Sequence, residues 1–216
     1  MEYEKLSTAY TGGVASSYEA RRTGSADWPK EQAAVERFLA TLPSDSSIVD
    51  VPVGTGRFLE FYKRFGLKPA GRDISLDMLA SAKAKADALT LDIDLAKGDI
   101  RKLDIADRGV DTALCVRFVN WVDFAGFETA MTELARVAKT NIIVSVRVWP
   151  TPTTLGKRIH QAWTAFRRRN ADLHFHNTEA TEALFARIGF TIAAQENVRA
   201  GKDQTNFVFY FLRRAA

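Results

Sequence analysis

The chain has 216 residues, of which 46% are hydrophobic and 26% charged, an ordinary balance for one globular domain that buries roughly 70% of its unfolded surface. No apolar run reaches the ~20 residues needed to span a bilayer, and the first residues lack a basic-then-apolar signal pattern. A single cysteine, Cys115, excludes an internal disulfide and fits a reducing, cytoplasmic setting.

The formal net charge of +4 is unevenly placed: residues 1–145 carry 19 Lys/Arg against 21 Asp/Glu, whereas residues 146–216 carry 11 against 5. In chain order, Ser25 or Asp27 caps a helix with Pro29 early in it, continuing through Val35 and Leu39. Strands are predicted at 47–51, 68–73, 92–97, 110–115, 140–147, 190–197 and 205–213. Helices fall between them at about 57–65, 76–88, 124–138 and 178–188. This alternation predicts an α/β domain over residues 1–216, with entry helices at about 10–41. An additional basic helix at about 154–169 has Ile159, Trp163 and Phe166 on one stripe and Lys157, Arg158, Arg167, Arg168 and Arg169 off it. Such a helix is a lid with a solvated charged face, or a cap that attracts an anionic acceptor or a membrane surface.

The most informative stretch is Ile48-Val-Asp50-Val-Pro52-Val-Gly54-Thr55-Gly56-Arg-Phe58, followed by Gly71-Arg-Asp73-Ile74-Ser. Two short strands ending in a Gly-x-Gly turn and in a lone acid make a seat for an adenosine-like ligand. The glycines admit the ligand to the backbone, and Asp73 accepts from ribose hydroxyls. A dinucleotide fingerprint would place a third Gly at position 59, which is Leu here, and no Gly-x4-Gly-Lys-Ser/Thr loop exists. S-adenosylmethionine (SAM), with an adenosine and an amino-acid tail but no phosphate, fits better.

These residues resemble the class I SAM-dependent methyltransferases, and among them a small stand-alone bacterial type with an Asp-Val-Pro-x-Gly-Thr-Gly-Arg first motif. Asp50-Val-Pro-Val-Gly-Thr-Gly-Arg is similar to the first motif and Asp73-Ile-Ser-Leu-Asp-Met-Leu to the second. Gly98-Asp99-Ile100 resembles the adenine-side motif, and the stretch from Asp111 to Trp121 resembles the fourth strand. Pro52 stands where the family usually has Gly. The resemblance implies a Rossmann-like fold with seven strands in the order 3-2-1-4-5-7-6, strand seven antiparallel, and helices on both faces. It also implies SAM as cofactor and S-adenosylhomocysteine as product. Its cofactor contacts would be Asp50, Pro52, Gly54, Thr55, Gly56, Asp73, Ile74, Met78, Asp99, Ile100 and Arg117. Asp50 would orient the turn or meet the ligand's ammonium, and Arg117 the ligand's carboxylate or an anionic substrate.

Methyl transfer needs mainly an in-line approach in a dry pocket, with a base only for a hydroxyl or protonated amine. Candidates for a base are His174 and His176, which alternation places on one side if the segment is extended. Substrate-side candidates are Tyr18, Arg22, Trp121, His174 and Arg167, and no metal-ligand spacing completes a site. The expected function is methyl transfer to a small-molecule or glycan-like, anionic acceptor. RNA or protein methylation is an alternative favoured by the basic last third. It is disfavoured by the lack of an appended binding module and of an Asn/Asp-Pro-Pro-Tyr/Phe motif. A non-catalytic SAM-fold subunit is a second alternative, hinted at by Pro52. The acceptor and the oligomeric state are not written in the sequence.

Overall fold

The computed structural model describes residues 24–149, 173–200 and 206–215, together with Gly156 and Ile159. In chain order these form α1 (Trp28–Leu39), β1 (Ser47–Asp50), α2 (Leu59–Arg64), β2 (Lys68–Asp73), α3 (Leu76–Ala88), β3 (Asp94–Lys97) and β4 (Val110–Cys115). A short 3-10 turn at Val119–Trp121 leads to α4 (Phe124–Val137), β5 (Ala138–Trp149), β6 (His176–Asn177), α5 (Thr178–Arg187), β7 (Phe190–Ala200) and β8 (Asn206–Arg214).

The strands make one sheet in the order β3-β2-β1-β4-β5-β8-β7, with β6 paired to the end of β5. The first five pair in parallel, and β8 runs antiparallel between β5 and β7. With β6 set aside, this is the expected order. The eighth strand is a correction to the expected seven: His176 and Asn177 pair in parallel with Val148 and Trp149. Two residues are too short for periodicity to reveal.

Both faces of the sheet are covered, which is why its central strands read as unbroken apolar runs. On one face Val49, Ala113, Ile142 and Val144 pack against Phe127, Met131 and Leu134 of α4 and Leu184 and Phe185 of α5. On the other, Ile48, Leu114, Ile143 and Phe209 pack against Ala34, Val35 and Phe38 of α1 and Leu59 and Tyr62 of α2. Three helices start on side-chain caps that satisfy an otherwise unpaired N–H. Ser75 accepts from Met78 N, Asp123 from Gly126 N and Asn177 from Ala180 N. α1 starts without a side-chain cap from Asp27, and Ser25 supplies its carbonyl to Trp28 N instead.

The expected basic helix at 154–169 lies outside the described residues except for Gly156 and Ile159, both helical. The expected entry segment before residue 24, with Tyr18 and Arg22, lies outside them as well.

The turn after β1 needs glycine twice, for different reasons. Gly54 has φ +55 with nothing within 4 Å of where a Cβ would stand, so only its backbone angle demands glycine. Gly56 has φ +78, and its Cβ would meet Leu59 Cδ1 at 2.6 Å. We predict that Gly54→Ala costs about 1 kcal/mol of stability, a left-handed-region cost alone, and that Gly56→Ala costs about 2–4 kcal/mol. Urea unfolding of the two variants checks this, and equal losses would refute the steric account of Gly56.

Candidate active site

At the carboxyl ends of β1, β2 and β4 a cleft of about 830 Å³ is lined by the Pro52–Thr55 turn, Asp50, Asp73, Ile74, Met78 and Arg117, with Trp28, Phe118 and Trp121 among its aromatic walls. Ligands of open parallel sheets sit at this end, where the crossovers on either side of β1 turn in opposite directions. The turn that forms its floor is fixed by backbone bonds: Val51 N–H donates to the Leu114 carbonyl, Val53 N–H to that of Arg72, and Gly56 N–H to that of Val53.

Asp73 is the hub of the floor. Its Oδ2 accepts from Gly54 N–H and its Oδ1 from Ser75 N–H, both at 2.9 Å. The side chain is therefore held at both oxygens, with Ile74 N–H acting on it as well, yet a carboxylate has about four lone-pair sites, and the residue lines the cleft. Burial pushes its carboxyl above the usual range, while the N–H groups of Ser75, Gly54 and Ile74 pull it back. Arg72 turns away and bonds Asp94 and Asp104.

Asp50 sits beside it, 2% exposed, accepting from the Tyr62 hydroxyl at 2.8 Å. Burial pushes its carboxyl up to about 8; the Tyr62 hydroxyl opposes that, the neighbouring Asp73 carboxylate adds to it, and Arg57 offsets part. Two buried acids thus share one wall, a wall electrostatically suited to a cation.

The roof comes from α1. Glu31, fully buried, accepts from Arg57 at 2.8 Å and from both Nε and Nη2 of Arg117. Arg57 also donates to Gln32 Oε1 and the Trp28 carbonyl, and lies 3.5 Å from the centroid of the Trp28 ring. Arg117 has φ +61, an uncommon angle for a residue with a Cβ. Its N–H donates to Ser145 Oγ, and its carbonyl accepts from Trp121 Nε1.

Residues 48–141 match the family model of a methyltransferase domain. Full-length structural likeness decides the architecture. Magnesium protoporphyrin IX methyltransferase from Synechocystis PCC 6803, solved with bound S-adenosylhomocysteine, matches with a TM-score of 0.76 at 16% identity, over 99% of this chain and 100% of that one. The fold is that of the class I SAM-dependent methyltransferases. Geranyl diphosphate methyltransferase in complex with SAM matches with a TM-score of 0.72 at 13% identity, over 95% of this chain and 92% of that one. The malonyl-[acyl-carrier protein] O-methyltransferase of Pectobacterium atrosepticum is 31% identical over 117 residues, 53% of this chain and 44% of that protein. The chain thus spans under half the length of this curated relative.

Within this methyltransferase fold, most of the residues expected around a cofactor converge. Asp50, Pro52, Gly54, Thr55, Asp73, Ile74, Met78 and Arg117 line the cleft, as does Trp121, expected on the substrate side. Gly56 stands behind the turn, packed on Leu59. Asp99 and Ile100 line an adjoining recess of about 320 Å³, shared with Pro52, Asp73, Ile74 and Phe118. The Asp99 carboxylate already engages the backbone N–H and guanidinium of Arg101. Burial pushes it up, but those Arg101 bonds prevail and hold it below its usual range.

The histidines are a correction. His176 is 3% exposed, pairs with Val148 at the end of β5 and does not line the cleft. Its ring stacks on Phe127 with centroids 4.6 Å apart, and its Nε2 is 3.0 Å from the Val119 carbonyl. Burial lowers its pKa. It is a core residue, not a base. His174 shares no lining with the cleft; its N–H donates to the Asn120 carbonyl, and its own carbonyl accepts from Asn120 Nδ2. Arg167, like Tyr18 and Arg22, lies outside the described residues. Among the described residues no group of three His, Cys, Asp or Glu could hold a metal.

Sequence reasoning missed Glu31 and Tyr62, and with them the internal partners of Arg117 and Asp50. Both pairings link positions that lie apart in the chain.

The raised Asp50 carboxyl makes stability depend on pH with a defined sign. A carboxyl whose folded value lies above its unfolded ~3.9 costs nothing below pH 4, and destabilises progressively until pH passes about 8. Asp50→Asn keeps an acceptor for Tyr62 and removes that cost. We predict that the variant gains at least ~1 kcal/mol over the parent at pH 8 and little at pH 4. Thermal unfolding at the two pH values reads this directly, and a pH-independent difference would contradict it.

Proposed function

We propose that this protein is a SAM-dependent methyltransferase acting on a small or carrier-borne acceptor. The observation that carries the reading is Asp73, locked by Gly54 and Ser75 N–H groups with lone pairs left over at the floor of the cleft. The residues present fit the cofactor. The space beside Gly54, empty for 4 Å around its missing Cβ, admits an amino-acid tail to the backbone. Asp73 would take the ribose hydroxyls, and Ile74, Ile100 and Phe118 would flank the adenine in the recess that also holds Asp99. Asp50 would face the ligand's ammonium.

Bound SAM supplies a methyl group on a sulfonium, a good leaving group that needs no metal. The chain's own part is to orient and to dry. Trp28, Phe118 and Trp121 exclude water, and the Glu31 pairing with Arg57 and Arg117 keeps α1 over the cleft. An acceptor that is already a nucleophile, such as a carboxylate, would need no base. The names of the relatives agree in kind, being methyltransferases of malonyl-[acyl-carrier protein], magnesium protoporphyrin IX and geranyl diphosphate. A cytoplasmic setting belongs to this reading and rests on the single, buried Cys115. Among the described residues no helix is long and apolar enough to cross a membrane.

Calorimetric titration with SAM and with S-adenosylhomocysteine tests the proposal. Wild type is expected to bind both in the micromolar range, and Asp73→Ala to bind at least tenfold more weakly, a loss of ~1.4 kcal/mol or more. Unchanged affinity in the variant would sink the ribose assignment, and no binding by folded wild type would sink the activity.

A further inference from the structure

Of the two acids that line the recess beside the cleft, Asp73 is held by Gly54 and Ser75, and Asp99 by its near neighbour Arg101. Asp99 Oδ1 accepts from the Arg101 backbone N–H at 2.9 Å and from its Nε at 3.0 Å. Oδ2 accepts from the same Nε at 2.9 Å and from Nη2. Three donors of one residue thus converge on the roughly four lone-pair sites of an ionised carboxylate.

The backbone sets this pairing up. Lys102 N–H donates to the Asp99 carbonyl at 2.9 Å, closing a tight turn across residues 99–102. Ile100 and Leu103, each 5% exposed, anchor the turn in the core, and Leu103 N–H donates to Glu133 Oε1 at 2.6 Å. A contact between residues two apart in an anchored turn needs little further ordering of the chain.

The other walls of the recess are Val51, Pro52, Ile74, Gly98, Ile100 and Phe118. Such a slot takes a planar ring by its faces, and the polar edge of that ring is left for the acid to read. A buried acceptor with no other partner rejects a ring that lacks the matching donor, because the acceptor is then left unpaired. Asp99 has another partner, so a ring without an amino group leaves nothing unpaired. Its charge is also offset, which softens its repulsion of a carbonyl oxygen. Arg101 itself does not line the recess and acts through Asp99.

We propose that Arg101 is a specificity-determining residue of the cofactor site. By competing for the Asp99 carboxylate, it relaxes the preference for a 6-amino purine over a 6-oxo purine. This rests on the methyltransferase reading above, with the adenine in this recess.

The side chains of the pair are 46% exposed for Arg101 and 31% for Asp99, so the pairing adds little to folding and its removal spares the fold. S-adenosylhomocysteine and its 6-oxo counterpart, S-inosylhomocysteine, are titrated calorimetrically into wild type, Arg101→Ala, Asp99→Ala and the double variant. Wild type is expected to bind the two within about tenfold of each other. Arg101→Ala should bind S-adenosylhomocysteine at least about threefold more tightly and the 6-oxo ligand no more tightly, so the preference for the amino form widens. In the Asp99→Ala background, adding Arg101→Ala should change neither affinity by more than about twofold, because the contested acceptor is gone. A merely structural role for Arg101 would instead weaken both ligands together. An unchanged preference in Arg101→Ala, a parallel loss of both ligands, or the same widening without Asp99 would overturn the assignment. Failure of folded wild type to bind S-adenosylhomocysteine would strike the methyltransferase reading itself, and this inference with it.

Discussion

The hydrogen bond from Gly54 N–H to Asp73 Oδ2 joins the turn after β1 to the end of β2, and much of the candidate site hangs on it. The second oxygen of the same carboxylate accepts from Ser75 N–H, and Ser75 in turn caps α3 through its hydroxyl. One side chain therefore sets the height of the glycine turn, the start of a helix and the floor of a cleft. The parallel pairing of β1 with β2, Asp50 opposite Gly71, brings Asp73 to that place. The glycine angles at 54 and 56 let the chain turn away from it, and at 56 a Cβ would run into Leu59.

Charge is arranged about this floor with a clear division. Two buried carboxyls, Asp50 and Asp73, line the cleft, both pushed above their usual range by burial. Two guanidiniums, Arg57 and Arg117, stand under the roof, bridged by the fully buried Glu31. A buried pairing of this kind contributes less to stability than to the fixing of a single arrangement. Here it ties the entry helix α1 to the loops after β1 and β4, beside the Arg57 bonds to Gln32 and the Trp28 carbonyl. The proposed cofactor, with an ammonium and a carboxylate and a sulfonium beside them, would match that division. Fold alone would not say so, since one architecture hosts many reactions.

Much of this was legible in the sequence, for a physical reason. Strands buried on both faces leave apolar runs, and capped helices leave Ser75, Asp123 and Asn177 at their starts, so α3 and α5 are found where their patterns put them. The glycine turn and Asp73 were legible because backbone angle and lone carboxylate are local demands. The partner of a buried charge is not local: Glu31 lies 86 residues from Arg117 and 26 from Arg57. His176 misled because alternation tells which residues share a side and not whether that side meets a cleft or a core; Phe124 and Phe127 of α4 claim it. The Arg101 contact with Asp99, two residues apart, was visible in principle and is the kind of local pairing that a motif comparison passes over.

The most direct measurement is a crystal structure of this chain with S-adenosylhomocysteine. The account predicts both ribose hydroxyls within hydrogen-bond distance, about 2.6–3.0 Å, of the Asp73 carboxylate. It also predicts the amino-acid tail over Gly54 and the ammonium toward Asp50. A ligand bound elsewhere, or one whose ribose leaves Asp73 to Gly54 and Ser75 alone, would contradict it.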